Sequence, residues 1–310
     1  MLHARQKLLL CLLQTVGGSA AATDFQKLLF LFTQEFEPSP TYEFVPYKFG
    51  SFSFTSYADK RRLTESGLLE EDENVWRLTT NGERRARPNH PMAVALHKFR
   101  KLYGKLRGND LLANVYKRYP FYAIRSEIVE KEKVLPDADS RARIQDLRPK
   151  ALGPSLITIG YEGKTLEGYM NQLLHEGVTL LCDVRRNPIS RKFGFSKGTL
   201  STTCDKLGLR YAHLPELGIA SEERQDLRVQ ADYDALFADY EHDLLPKEGA
   251  ALDKIMGWIR DGQRVGLTCF ELNPQQCHRH CISNLLGSRF GKSLVIRHLG
   301  IGEKCRSNAS

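Results

Sequence analysis

The C-terminal half of the chain is built on short apolar runs separated by segments of helical periodicity, and this pattern constrains the fold most. Leu156-Ile157-Thr158-Ile159-Gly160-Tyr161 is followed by helical spacing over 166–175 and then by Thr179-Leu180-Leu181-Cys182-Asp183-Val184. A helix over 252–260, the run Arg264-Val265-Gly266-Leu267-Thr268-Cys269, a helix over 279–286 and the run Leu294-Val295-Ile296 complete the series. Continuous apolar runs of this length suit strands covered on both faces, the usual condition of a parallel sheet. Strand alternating with helix therefore predicts an α/β domain with an open, mostly parallel, Rossmann-like sheet. Sites in such sheets lie at the carboxyl ends of strands.

A chain of 310 residues suits two domains. The N-terminal half reads as mainly helical, with helical spacing over 2–16 and 25–36, and a helix over 56–66 carrying Lys60, Arg61 and Arg62. Two short strands follow within 68–78, around the polar turn Asp72-Glu73-Asn74. Three helices and a hairpin are the order of a winged helix-turn-helix, in which one helix enters the major groove. The runs Lys48-Phe49-Gly50-Ser51-Phe52-Ser53, Asp59-Lys60-Arg61-Arg62-Leu63, Gly67-Leu68-Leu69 and Trp76-Arg77-Leu78-Thr79 resemble winged-helix domains. Basic helices are expected over 92–106 and 110–117. The polar, proline-punctuated composition of 131–155 predicts a linker. The expected organisation is a DNA-binding region over 1–130, that linker, and an α/β domain over 156–302.

Charge supports the nucleic-acid reading. Residues 1–150 hold 25 Lys/Arg against 18 Asp/Glu, whereas 151–310 hold 20 against 19. Between Arg77 and Arg125 there are 12 basic residues and 2 acidic ones. A local excess of this kind suits a polyanion, because each phosphate neutralised releases condensed counterions. Lys60, Arg61, Arg62, Arg77, Arg84 and Arg85 are the candidate contacts to double-stranded DNA. A solvated basic surface, or a winged helix used for protein contacts, is the plainer alternative. Seven scattered cysteines do not form a disulfide framework, and no run has the ~20 apolar residues of a membrane span. A cytoplasmic location is expected.

Two clusters fall at predicted strand ends: Asp183-Val184-Arg185-Arg186-Asn187-Pro188-Ile189-Ser190-Arg191, and Cys269-Phe270-Glu271 followed by Cys277-His278-Arg279. With Ile159-Gly160-Tyr161-Glu162-Gly163, Tyr211-Ala212-His213-Leu214-Pro215 and Leu217-Gly218, they resemble the DUF488 family over about 156–299. The family is defined without an activity, so the resemblance implies a fold and a site rather than a reaction.

Asp183 and Glu271 are costly to bury unless they face a cleft or are paired. They could hold Mg²⁺, activate water and stabilise a cationic sugar, or simply pair with arginines. Arg185, Arg186, Arg191 and Arg279 can grip phosphate by bidentate hydrogen bonds, with Ser190 beside them. Tyr161 and His213 could stack on a base or sugar, and His278 could serve as acid or base. Cys269 and Cys277 could shape the pocket, or Cys269 could act as a thiolate activated by His278 and Arg279. Paired Cys-x-x-Cys hooks are absent, and Cys277-His278-Arg279-His280-Cys281 reads as the start of a helix whose residues point apart, so no metal and no cofactor is expected.

The expected function is that of a DNA-binding enzyme attacking a modified base or its N-glycosidic bond in the manner of a glycosylase, in defence or repair. Asp183, Glu271 and His278 are its candidate catalytic groups. The alternatives are a Mg²⁺-dependent nuclease and a non-enzymatic, nucleotide-sensing winged-helix regulator.

Overall fold

The computed structural model describes residues 2–129, 137–149, 153–220 and 222–300. The chain divides into two compact units, Met1–Arg148 and Pro149–Ser310. Among the described residues no helix is long and apolar enough to cross a membrane.

The first unit runs α1 (Ala4–Thr15), β1 (Ser19–Ala21), α2 (Ala22–Glu35), β2 (Val45–Tyr47), β3 (Gly50–Phe52), α3 (Phe54–Glu65), β4 (Val75–Arg77), α4 (Thr80–Arg85), α5 (His90–Tyr103), α6 (Gly108–Arg118) and α7 (Ala138–Leu147). The three expected helices form with ends shifted by a few residues. Ser53 caps α3 by accepting from the Ser56 amide, which fixes where that helix starts. The expected hairpin is reduced to a bridge between Leu69 and Leu78 beside β4. Instead β4 pairs antiparallel with β1, and β2 pairs with β3. The core is aromatic: Phe25 lies 4.5 Å from Trp76 between ring centroids, and Phe30 meets Phe44, Tyr119 and Tyr122.

The expected linker needs correction. Of its span, 131–136 and 150–152 lie outside the described residues, as do 301 and 302 of the expected α/β domain. Between them α7 forms, capped by Asp137 accepting from the Ser140 amide. Its one buried apolar residue, Ile144, packs into the core of the first unit. A polar helix with a single buried contact has the composition of a linker, which is why the pattern misleads.

The second unit runs β5 (Ser155–Gly160), α8 (Leu166–His175), β6 (Leu180–Asp183), α9 (Lys197–Lys206), β7 (Arg210–His213), α10 (Gln230–Asp239), α11 (Gly249–Arg260), β8 (Arg264–Cys269), α12 (Arg279–Phe290) and β9 (Val295–Leu299). Its five strands form a parallel sheet in the order β7-β6-β8-β5-β9. This is the expected α/β architecture. Val265 and Leu267 face a core shared with Leu252, Ile255, Ile282 and Leu286 of α11 and α12. The intervening Gly266 faces Leu173 of α8, so the sheet is covered on both sides, as its unbroken apolar strands require.

Register aligns the strand ends. Gly160 lies opposite Cys269, and Asp183 opposite both Thr268 and His213. Two glycines let loops meet there. A Cβ on Gly160 would sit 1.7 Å from the Glu271 carbonyl oxygen, and one on Gly218 would sit 2.1 Å from the Arg186 nitrogen. No larger residue fits either place without moving a backbone.

Candidate active site at the carboxyl ends of the strands

The loops after β5, β6 and β8 enclose a pocket of about 390 Å³. Tyr161, Arg185, Arg186, Cys269, Glu271 and His278 line it, so six of the expected site residues converge there. Arg224 lines it too and forms an ion pair with Glu271. Sequence reasoning missed Arg224, which belongs to no strand end and lies in a polar stretch without periodicity. Ile189 (77% exposed) and Phe270 (43% exposed) give the mouth an apolar rim.

Asp183 is not part of the lining. It is fully buried, and its carboxylate accepts from Arg185 Nε at 2.8 Å, Arg185 Nη2 at 2.5 Å and the Tyr211 hydroxyl at 2.7 Å. Arg185 Nη1 then donates to the Tyr161 hydroxyl at 3.0 Å and to the Phe195 carbonyl at 2.9 Å. Burial opposes the charge on Arg185, but the hydrogen bonds and charge of Asp183 win and push its pKa up. Tyr211 is raised by burial and by the same carboxylate. Asp183 is thus the buried anchor of an ion-pair network. The expectation that it activates water is corrected, because its oxygens are taken.

Other expected phosphate ligands have structural work. Arg279 is fully buried and donates to the carbonyls of Glu271 and Leu272, closing the loop after β8. His213 Nε2 donates to the Arg185 carbonyl at 2.9 Å while Lys197 Nζ meets its Nδ1 at 3.1 Å, so it steadies backbone rather than stacking on a ligand. The Ser190 hydroxyl accepts from the Lys192 amide, and Arg191 is exposed and outside the lining. Arg186 remains as an exposed cation at the pocket.

At the floor lie Cys269 and His278, with Cys277 behind them, all buried. His278 Nε2 is 3.0 Å from the Val184 carbonyl, which can only accept, so Nε2 donates to it and Nδ1 faces the cysteines. Nδ1 is 3.8 Å from Cys269 Sγ. Glu271 Oε2 lies 3.3 Å from the same sulfur. A hydrogen bond from Cys277, together with Arg224, the Phe270 amide and Arg279, pulls Cys269 down to about 7 against its burial. Burial, with Cys269 beside it, pushes Cys277 up to about 12. The two thiols therefore share their protons unequally, with Cys269 the more acidic.

In the first unit, Arg61, Arg62, Arg84 and Arg85 are exposed, and Arg77 pairs with Glu70 at 3.0 Å. Lys60 is corrected: it is buried, its Nζ donating to the carbonyls of Asp72 and Val75. Its neighbour Asp59 is buried as well, holding Arg5, Gln6 and Tyr42.

Parallel strands, loops meeting at their carboxyl ends and a polar pocket between those loops define an α/β domain with a ligand site in the usual place. Residues 165–286, within the C-terminal half, match the model of the family described as "Domain of unknown function DUF488". The match takes in Asp183, Arg185, Arg186, Cys269, Glu271 and His278, while Tyr161 precedes it. No curated protein and no solved structure matches the chain.

Proposed function

We propose that the chain is a DNA-acting hydrolase whose α/β half takes one nucleotide into the pocket and attacks its base or N-glycosidic bond. The observation that carries this reading is Glu271, a carboxylate inside a pocket of nucleotide size, flanked by Arg224 and Arg186 and walled by Tyr161. Glu271 would take the proton of the attacking water, and the arginines would hold the flanking phosphates. Phe270, exposed at the mouth, offers aromatic surface to a base lifted from its stack, whereas Tyr161, expected to stack on it, is buried against Phe195 and serves as wall.

The Mg²⁺-dependent nuclease fits less well. A magnesium clamp calls for converging carboxylates, and among the described residues Glu271 is the single carboxylate lining this pocket. The exposed Arg61, Arg62, Arg84 and Arg85 support duplex binding by the first unit. The three helices α1, α2 and α3, with β1 paired to β4, support reading it as a winged helix, into which the hairpin β2–β3 is inserted between α2 and α3.

The test is incubation with end-labelled duplexes carrying normal and modified bases, with and without alkali before a denaturing gel. Breaks that need alkali support base removal. Breaks without alkali that a chelator abolishes would favour the nuclease. Intact DNA retarded on a native gel would leave a regulator.

A further inference from the structure

The floor of the pocket, with Cys277 just behind it, brings together two thiols, an imidazole and a carboxylate, and base hydrolysis by Glu271 leaves the first three unused. The ligand atoms of Cys269, Cys277 and His278 all lie within 4.8 Å of one another. We propose that these three residues form a binding site for one zinc-class transition-metal ion, with its fourth position open to the pocket.

Three observations carry the proposal. The first is spacing. Zn–S and Zn–N bonds of about 2.3 and 2.0–2.1 Å at a tetrahedral angle place sulfur and nitrogen about 3.6 Å apart. Cys269 Sγ and His278 Nδ1 are 3.8 Å apart. The second is the outer partner. A metal-bound histidine characteristically donates its other ring N–H to a carbonyl or carboxylate, which fixes the tautomer. His278 Nε2 does this to Val184, turning Nδ1 toward the sulfurs. The third is backbone. Cys277 is extended, with φ −143° and ψ 130°, and His278 is the residue before the first turn of α12. Consecutive residues on a regular helix would point apart, but the break at 277 lets both side chains reach one place. The helical start expected at 277 is therefore not what forms, and a three-ligand site with an open position does not need the paired Cys-x-x-Cys hooks of a closed structural zinc.

The ligand set also indicates the kind of site. Two thiolates and an imidazole select a borderline-soft ion over Mg²⁺ or Ca²⁺. Cys269 and His278 line the pocket whereas Cys277 does not, so the protein ligands stand on one side and the cavity on the other. That is the arrangement of a catalytic rather than a closed structural site. Glu271, next to Cys269 and already held by Arg224, is placed as acid and base beside the open position.

The catalytic part rests on the hydrolase reading above, whereas the binding part stands on geometry alone. Water at the open position gives a proton to Glu271, and its oxygen bonds to the carbon under attack. As the carbon–nitrogen bond breaks, Glu271 returns the proton to the leaving nitrogen. No oxidant or reductant is needed.

The test uses the full chain, purified with reductant and without chelator. Elemental analysis should give about one zinc per chain. After removal of zinc, Co²⁺ should restore one equivalent with a thiolate-to-cobalt charge-transfer band. Cys269→Ser, Cys277→Ser and His278→Ala should each weaken Co²⁺ binding by more than the roughly 10–100-fold that follows loss of an outer partner. Cys281→Ser, a buried cysteine outside the cluster, should bind as the parent does, and circular dichroism checks that each variant is folded. A parent chain with neither zinc nor a cobalt band overturns the site, and so does equal loss of binding in Cys281→Ser. Base release by the metal-free chain overturns the catalytic part and leaves the hydrolase reading standing. Stoichiometric metal without base release supports the site and counts against the hydrolase reading.

Discussion

The guanidinium of Arg185 clasps the carboxylate of Asp183 from two residues away, Nε on Oδ1 at 2.8 Å and Nη2 on Oδ2 at 2.5 Å, with both side chains buried. Removing one member of such a pair leaves an uncompensated buried charge, which costs about 3–5 kcal/mol. Asp183→Asn should therefore lower the unfolding free energy of the second unit by that amount, read from urea titrations. A loss of activity with unchanged stability would instead return Asp183 to the list of reacting groups.

Glu271 should behave in the opposite way. Its partner Arg224 is partly exposed, so Glu271→Gln leaves a cation that water can reach. The variant should fold and bind DNA like the parent. Its rate of base release should fall by about 10²–10⁴, the usual contribution of a positioned acid or base. Single-turnover assays measure this, and a rate within a few-fold of the parent would remove Glu271 from the chemistry.

Burial pulls Lys27 in α2 down to about 7, with Asp24 opposing, and its Nζ donates to the Ser51 carbonyl at 2.8 Å. Its folded pKa lies below its unfolded value of 10.5. Between those values the unfolded chain binds a proton that the folded chain does not, so stability rises with pH from about 7 to about 10. The slope approaches about 1.4 kcal/mol per pH unit for this one group. Lys27→Met should flatten the rise in urea titrations between those values. Parallel curves for the two proteins would refute the assignment.

Binding to duplex DNA should divide the basic residues of the first unit. Each phosphate contact adds about 0.9 to the slope of log affinity against log salt. Arg84→Ala with Arg85→Ala should lower the slope by up to about 1.8, and Arg61→Ala with Arg62→Ala should act alike. Lys60→Met should lower stability and leave the slope unchanged, because its ammonium is turned onto the Asp72 and Val75 carbonyls. A fluorescence-anisotropy series over salt separates these outcomes.

Gly160→Ala should damage the site without touching a reacting atom. The new methyl would lie 1.7 Å from the Glu271 carbonyl oxygen, so strand end and loop must part. Overpacking of this kind costs about 1–3 kcal/mol. Cys269 should become more reactive toward a thiol reagent as the loop moves. Unaltered stability and thiol reactivity would show that the loop yields freely.

The parallel sheet was legible because its inner strands are largely apolar runs, and the strand ends followed from the residue that stops each one: Gly160 in β5, Asp183 in β6 and Cys269 in β8. β7 was harder to see, since Arg210–His213 is only partly buried and alternates poorly. Pocket membership was legible for Tyr161, Arg185, Arg186, Cys269, Glu271 and His278. Roles were less so, because composition cannot tell an arginine that faces a ligand from one that faces a carbonyl. Arg185 and Arg279 read alike as phosphate ligands, yet one is locked on Asp183 and the other holds Glu271 and Leu272. The β1–β4 pairing joins residues far apart in sequence, and three-residue strands carry too little pattern to announce a partner.

The two bonds from Arg279 to the carbonyls after β8 have a kinetic consequence. Cys269, Glu271, Cys277 and His278 all belong to the loop that this buried cation braces together with Arg224, Glu162 and the Val184 carbonyl, or border it. Opening these ties would scatter all four together, whereas Arg186 hangs from another strand and would stay. The floor of the pocket is thus a single latch, present or absent as a unit, and amide exchange over 270–278 should proceed at one common rate.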